Sequence, residues 1–320
     1  MKKDTVLSNN NPVTILVVGA GAVGGFYGCR LSQAGAEVST VHRSDYEAVR
    51  QKGITIDSID GPAHFHPQQV LRRVADYQGF PDYLLVSLKS LPELDIASLI
   101  APAVGPDTTV ILLQNGIQIE EPVQQRFPSN EIISGLAFIC VNRIGPGMIR
   151  HLCYGRLMIG CYPEGISPAV RQLSALFERS NVPCHTSAFI VTERWRKLLW
   201  NAPYNPISVL AGGVDTQQIM AQPDMVSLIR GVMEEVLAVA LSLGHNLTQE
   251  AVEKNLDDTH KMKPYRTSML LDYESGRPME VEAILGNIIK AAEKKAVRVV
   301  RLQTLYSLLK LKAKQPFSAN

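Results

Sequence analysis

The chain has 320 residues, of which 46% are hydrophobic and 19% charged, and its formal net charge is only +2. That composition belongs to a globular protein with a sizeable core, and the near-neutral balance excludes the basic footprint of a nucleic-acid binder. No apolar run reaches the length of a membrane span, no signal-peptide core opens the chain, and the five cysteines lack C-x-x-C spacing, so a reduced, cytoplasmic protein of two domains is expected.

Residues 1–12, with Lys2, Lys3, Asp4 and several asparagines, read as a polar leader. Ile15 to Val18 then form an unbroken apolar run, the pattern of a parallel strand covered on both faces. It leads into Gly19-Ala20-Gly21-Ala22-Val23-Gly24, a G-x-G-x-x-G turn. In a dinucleotide-binding unit the first glycine permits the tight turn, the second lets backbone N–H groups approach a pyrophosphate, and the third lets the helix lie close to the strand. A helix running to Ala34, closed by Gly35, and a second strand from Ala36 to Val41 supply the context that such a motif needs. The plain alternative is a sterically tight strand-to-helix turn.

The second strand ends at Val41-His42-Arg43-Ser44, where this fold meets the adenosine ribose. A carboxylate there suits NAD and an arginine suits the 2′-phosphate of NADP, which makes Arg43 a specificity candidate. Asp45 stands two residues on and could still reach a ribose. Gly53 to His66 reads as a hairpin turning at Asp60-Gly61. His64 and His66 share a face of it, but no further ligands lie nearby, so no metal site is expected. Two more apolar strands follow. Asp82 to Lys89 delivers Lys89 to the carboxyl edge of the sheet, and Thr109 to Gly116 delivers Asn115 to the same edge, where ligands of open α/β sheets collect. Asn115 fits a contact to the nicotinamide ribose or to substrate, and equally an Asn-Gly turn closing a strand. Residues 132–160, with the turn Gly145-Pro146-Gly147, extend the sheet.

From about residue 188 the pattern becomes helical. Met225, Leu228, Ile229, Val232, Val236, Val239 and Leu243 recur at helical spacing, Gly244 is placed to end that helix and Thr248 to cap the next. We therefore expect an N-terminal Rossmann-type parallel-sheet domain over 13–187 and an all-α domain over 188–320. Lys197, Asn201 and Asn205 stand at i, i+4 and i+8, one face of one helix. Such a stripe serves a polar ligand if it points inward, and is a solvated face if it follows its neighbours Arg194 and Arg196. Ser268 and Glu280 each precede a helical run, which capping explains without a functional role.

Taken together, Glu193-x-Trp195-x-Lys197-Leu198-x-x-Asn201-x-x-x-Asn205-Pro206, the Gly19 motif, Leu85 to Lys89, Gln114-Asn115-Gly116, Gly145 to Gly147, Ser268 and Glu280 resemble the ketopantoate reductase (2-dehydropantoate 2-reductase) family over nearly the whole chain. The resemblance implies reduction of a small 2-oxo acid by NADPH in a cleft between the two domains, with a homodimer compatible. Matched by position, it implies Lys197 as general acid and Glu280 as active-site carboxylate. Asn201, Asn205 and Ser268 match substrate contacts, and Asn115 a residue near nicotinamide and substrate. The turn from Gly19 to Gly24, Arg43 and Lys89 match cofactor contacts. Pro203 departs from the pattern and predicts a kink between the two asparagines. Leu285 stands where asparagine is usual before Gly286, and Arg298 with Val300 replace prolines common in the last loop. A reductase for another 2-oxo acid, or an NADP-binding sensor without turnover, are the alternatives. A 3-hydroxyacid or polyol-phosphate dehydrogenase relative is separated by its lack of the Trp195 to Pro206 block.

Overall fold

The computed structural model describes residues 11–315, so all but the last two residues of the expected polar leader lie outside the described residues. In chain order the first part carries β1 (Thr14–Val18), α1 (Ala22–Gln33), β2 (Glu37–Val41), α2 (Tyr46–Lys52), β3 (Ile54–Ser58), β4 (Ala63–Phe65), β5 (Val70–Leu71) and β6 (Tyr83–Val86). It continues through α3 (Ile96–Ile100), β7 (Thr109–Leu112), α4 (Glu121–Arg126), β8 (Ile132–Gly145), β9 (Met148–Cys161), α5 (Pro168–Arg179) and β10 (Cys184–Thr186). The rest is helical: α6 (Ile190–Leu210), α7 (Thr216–Met220), α8 (Pro223–Ser242), α9 (Gln249–Lys261), α10 (Ser268–Glu274), a π turn at Glu282–Gly286, α11 (Asn287–Lys294) and α12 (Val300–Lys312).

The strands form one sheet in the order β4-β3-β9-β8-β7-β6-β1-β2-β5, with β10 added beside β9. From β5 to β8 every pairing is parallel. The β1 run is unbroken because both its faces are covered: Ile15 and Val17 join one apolar cluster, Leu16 and Val18 another on the opposite side. Chain order reverses between β1 and β6, which sets a crevice at their carboxyl ends, where ligands of open α/β sheets bind. The expected hairpin is present as β3 and β4, antiparallel around Gly61 with φ 102°. It docks on β9, at the far side of the long β8/β9 hairpin. As a result α1 touches β1, β2, β3, β4, β8 and β9, and the sheet curls around it.

That enclosure explains the glycines of α1. A Cβ on Gly24 would run into Ser87 Oγ and come within 2.7 Å of the Gly19 carbonyl oxygen, and one on Gly25 would strike Ile149 of β9. Gly19 itself has φ +90° and leaves no room beside Leu88. In the helical part, the predicted apolar stripe of α8 packs into a single cluster with α6 and α12. Gly244, at φ 89°, follows α8, and Thr248 occupies the N-cap of α9 without a side-chain capping bond. Through Pro203 and Pro206, α6 continues unbroken from Ile190 to Leu210. Packing on both sides outweighs the lost backbone donors. Among the described residues no helix is long and apolar enough to cross a membrane.

Gly24→Ala should therefore lower unfolding free energy by about 1–3 kcal/mol, because backbone and Ser87 must both give way. Gly21→Ala is the control: its Cβ would meet nothing nearer than 3.9 Å, and its urea midpoint should stay close to wild type. Equal midpoints for the two variants would contradict the packing account.

Candidate active site

The parallel register brings four strand ends level. Val18 pairs with Val41 and Val86, Val86 with Leu112, and Leu112 with Ser134. The residues just beyond, among them Gly19, His42 and Ser87, consequently line one edge. Ser87 Oγ donates to the Gly19 carbonyl at 2.8 Å and fixes the turn. No side chain caps α1, no acidic residue occupies its first turn, and the space over Gly21 is open. The first-turn N–H groups have no intrahelical partner, so the turn from Gly19 through Ala20, Gly21, Ala22 and Val23 to Gly24 fits a pyrophosphate without rearrangement.

Arg43 is exposed at the same edge. Asp45 is not available to a ribose. It is buried, it is paired with Arg143 through Nε at 2.7 Å and through Nη2, and it accepts from Gly147 N at 3.1 Å. Burial raises the Asp45 carboxyl, but Arg143, Gly147 and Ser44 together hold it below the usual range. Lys89 also has partners: its ammonium lies 2.7 Å from Asp272 and donates at 2.7 Å to the Pro278 carbonyl, tying the sheet edge to the helical part.

Across the edge stands α6. Lys197 Nζ donates to Asn115 Oδ1 at 3.0 Å and to the Ala137 carbonyl of β8 at 2.8 Å. The other end of the same amide, Asn115 Nδ2, donates to Glu280 Oε2 at 3.1 Å, while Ser90 N donates to Oε1 at 3.0 Å. A lysine needs an acceptor and a carboxylate needs a donor, so this amide orientation satisfies both ends. An ammonium has three hydrogens; two of these meet oxygen acceptors, and the Phe138 ring centroid lies 5.3 Å from Nζ. Burial, aided by the nearby Arg194 guanidinium, brings the Lys197 ammonium down to about 8, against the pull of Glu280. Burial pushes the Glu280 carboxyl up, against the Ser90 and Asn115 hydrogen bonds and the charge of Lys89.

Exposure falls along the helix stripe. Lys197 is half-buried, Asn201 is 8% exposed and Asn205 1%, so the stripe descends from the cleft into the interior. Asn205 Oδ1 is buried without a hydrogen-bond partner among the described residues. Ser268 is exposed at the first position of α10.

The capping explanation fails at both positions. Thr267 caps α10, accepting from Leu270 N at 3.2 Å, and Glu280 spends its carboxylate on Ser90 and Asn115 across the cleft rather than on its own helix. The solvated reading of Arg194 is also overturned. It is 1% exposed and pairs with Glu120 at 2.5 Å. It donates to Ser134 Oγ and to the carbonyls of Leu112, Gln114, Gly116 and Gly135 at 2.6 to 3.2 Å. Position 194 lies four residues from both Ile190 and Leu198, in register with the buried stripe; that spacing was the available signal. Ser90 N and the Ala137 carbonyl are main-chain groups, which no side-chain pattern reveals. Leu285 is buried in the helical core, and Asn287 two residues on ties this segment to the Ile117 carbonyl at 2.8 Å. Among the described residues no cluster of three or more His, Cys, Asp or Glu could hold a metal ion; His64 and His66 hydrogen-bond to each other at 3.1 Å.

Residues 15–164 match the family model described as ketopantoate reductase PanE/ApbA, and residues 190–313 match its C-terminal companion. The chain belongs to the ketopantoate reductase family. It is 38% identical to a 2-dehydropantoate 2-reductase of Nostoc sp. over 92% of this chain and 93% of that one. Among solved structures, a 2-dehydropantoate 2-reductase from Methylococcus capsulatus superposes with a TM-score of 0.89 at 45% identity, covering 96% of this chain and 100% of the other. A 2-dehydropantoate 2-reductase from Geobacter metallireducens gives 0.88 at 33%, covering 93% and 99%. The family consists of pyridine-nucleotide-dependent oxidoreductases acting on small molecules, and the open glycine turn meets that requirement.

The buried lysine also leaves a stability signature. Its folded-state value is depressed to about 8 from 10.5, so the penalty for burying its charge is complete below about 8 and disappears as pH rises past the unfolded value. Relative to wild type, Lys197→Met should therefore have its greatest stability at pH 7 and lose that advantage towards pH 10.5, as read by urea unfolding. A pH-independent difference would mean that the lysine is not desolvated.

Proposed function

We propose that this chain is a cytoplasmic NADPH-dependent reductase that converts 2-dehydropantoate to pantoate. The observation that carries the reading is the hydrogen-bonded set of Lys197, Asn115 and Glu280, with Lys197 also anchored to the Ala137 carbonyl, at the edge where the glycine turn lies. In this reading residues 13–187 hold the cofactor and 188–320 supply the acid and most of the substrate contacts. The turn from Gly19 to Gly24 receives the pyrophosphate, and Arg43 receives the 2′-phosphate. Lys89 joins it by exchanging Asp272 for phosphate. The engagement of Asp45 by Arg143 supports NADP over NAD, since no free carboxylate remains there for a ribose.

The glycine turn, Arg43 and Lys89 would hold NADPH, which when bound would supply the hydride for the ketone carbon. The carbonyl oxygen then gains negative charge, and Lys197 stabilises that charge and gives up its proton to the oxygen. Its depressed value makes this transfer easier near neutral pH, while Glu280, through Asn115, holds the amide oriented and favours the protonated lysine. Asn201 and Ser268 take the substrate carboxylate. Asn205, whose carbonyl oxygen is unpartnered, supports a hydroxyl-bearing 2-oxo acid, the hydroxyl donating to Oδ1.

The decisive assay follows NADPH absorbance against a panel of 2-oxo acids that includes 2-dehydropantoate. Preference for another member would identify a paralogous reductase, and cofactor binding without turnover a sensor; sedimentation of the active species tests for a homodimer. Lys197→Ala should lower kcat by about 10²–10⁴ while NADPH still binds, and the wild-type rate should fall as pH rises through the lysine value. More than about a tenth of wild-type kcat in that variant, with chemistry limiting, removes Lys197 from the mechanism. Arg43→Ala should weaken NADPH about ten- to a hundredfold, the worth of a charged hydrogen bond, and leave NADH nearly unchanged. Equal losses for both cofactors in titrations would reject the NADP assignment.

A further inference from the structure

Arg194 is the most deeply buried cation near the cleft, and its environment is unusual. Two of its acceptors, the carbonyls of Gln114 and Gly116, flank Asn115 on either side, at 2.8 and 3.1 Å from the same Nη1 atom. Two others, Leu112 and Gly135, belong to β7 and β8, the strands that lead to Asn115 and to Ala137. Nε reaches Ser134 Oγ at 2.6 Å, and Ser134 in turn donates to Glu120 at 2.7 Å, so the counter-charge is itself hydrogen-bonded. One guanidinium thus grips the main chain on both sides of Asn115 and the strand whose carbonyl holds Lys197. It does so from the helix that carries Lys197, three residues away.

We propose that Arg194 is a positioning residue for the reduction: it fixes the Asn115 amide and β8 against α6, so that the two acceptors of Lys197, Asn115 and Ala137, are held in place. This rests on the functional reading above. A planar fork with five donors can satisfy several carbonyls from one point, which an ammonium cannot. Holding Glu120 and Arg194 together keeps the buried charges paired. The charge of Arg194 also acts on Lys197 directly. The other charged groups that face this lysine are Glu280, beyond Asn115, and Arg156 of β9, which lies over the Phe138 ring that Lys197 also approaches.

The test uses Arg194→Met with Glu120→Gln, since removing one partner alone would leave a buried charge unpaired and endanger the fold. Two readouts are taken on the full chain: steady-state kinetics, and the pH midpoint for acetylation of Lys197 by acetic anhydride, read by peptide mass. In the double variant kcat should fall about 10- to 100-fold, as for a small misplacement of a catalytic group, with KM for NADPH within about threefold of wild type. The acetylation midpoint of Lys197 should stay close to wild type, because a cation and its paired anion are removed together, so a loss of kcat reports position rather than charge. Arg194→Lys keeps the charge and loses the fork, so its midpoint should stay near wild type while kcat still falls, and this variant carries the test if the double variant does not fold. A folded variant with kcat within about twofold of wild type overturns the proposal. If wild type reduces no 2-oxo acid, the functional reading fails and the proposal with it, whereas an active wild type with unaffected variants fails the proposal alone.

Discussion

The carboxyl edge of the sheet presents a row of backbone carbonyls that water does not reach, and their need for donors governs how the two parts of the molecule meet. Buried carbonyls without partners are costly. Arg194 answers four of them from α6, Asn287 answers Ile117, and Ile117 N donates in return to Ala283 at 3.3 Å. Gly116, at φ +94°, lets the two segments approach, since a Cβ there would come within 2.7 Å of the Ala283 side chain. The helical part is keyed to the sheet by hydrogen bonds to main-chain carbonyls at the edge where Lys197, Asn115 and Glu280 meet.

The same economy shapes the surroundings of Lys197. Its ammonium is desolvated and yet anchored by two oxygen acceptors. Two fixed acceptors, a guanidinium on one side and a carboxylate beyond an amide on the other, supply opposing influences on one ammonium. Glu280 experiences the complementary environment, buried but held by Ser90 and Asn115. Asn115 therefore joins the Lys197 ammonium to the Glu280 carboxyl without carrying charge itself.

Much of this was legible in the sequence because it depends on side-chain type and spacing. The apolar runs of β1, β6 and β7, the glycine turn, the hairpin at Gly61 and the stripe of α8 all follow from periodicity. Lys197, Asn115 and Glu280, which the motifs singled out one by one, stand as many as 165 positions apart and are joined by two hydrogen bonds. The rest was illegible for physical reasons. Ser90 and Ala137 act through backbone atoms. Arg194 looks like a surface residue until its acceptors, all from distant strands and turns, surround it. Thr267 and Ser268 are both competent caps, and only geometry decides between them. Asp45 has a carboxylate of suitable type near the ribose position, but Arg143, 98 residues away, takes it.

The curling of the sheet around α1 bears on how the chain acquires its structure. The helix that follows the glycine turn is completed by residues from far down the chain: Gly25 lies against Ile149, Phe26 against the His151 ring, and the Tyr27 hydroxyl donates to the Gly155 carbonyl, 128 positions away. Contacts of such separation are entropically expensive to close, and they mature late in folding. A nascent chain that has emerged only as far as β7 already has the strands flanking the turn but lacks the inner wall of its first helix. The glycine turn is written in the first two dozen residues, but the helix that follows it is enclosed only by a β8/β9 hairpin that lies more than a hundred positions further on.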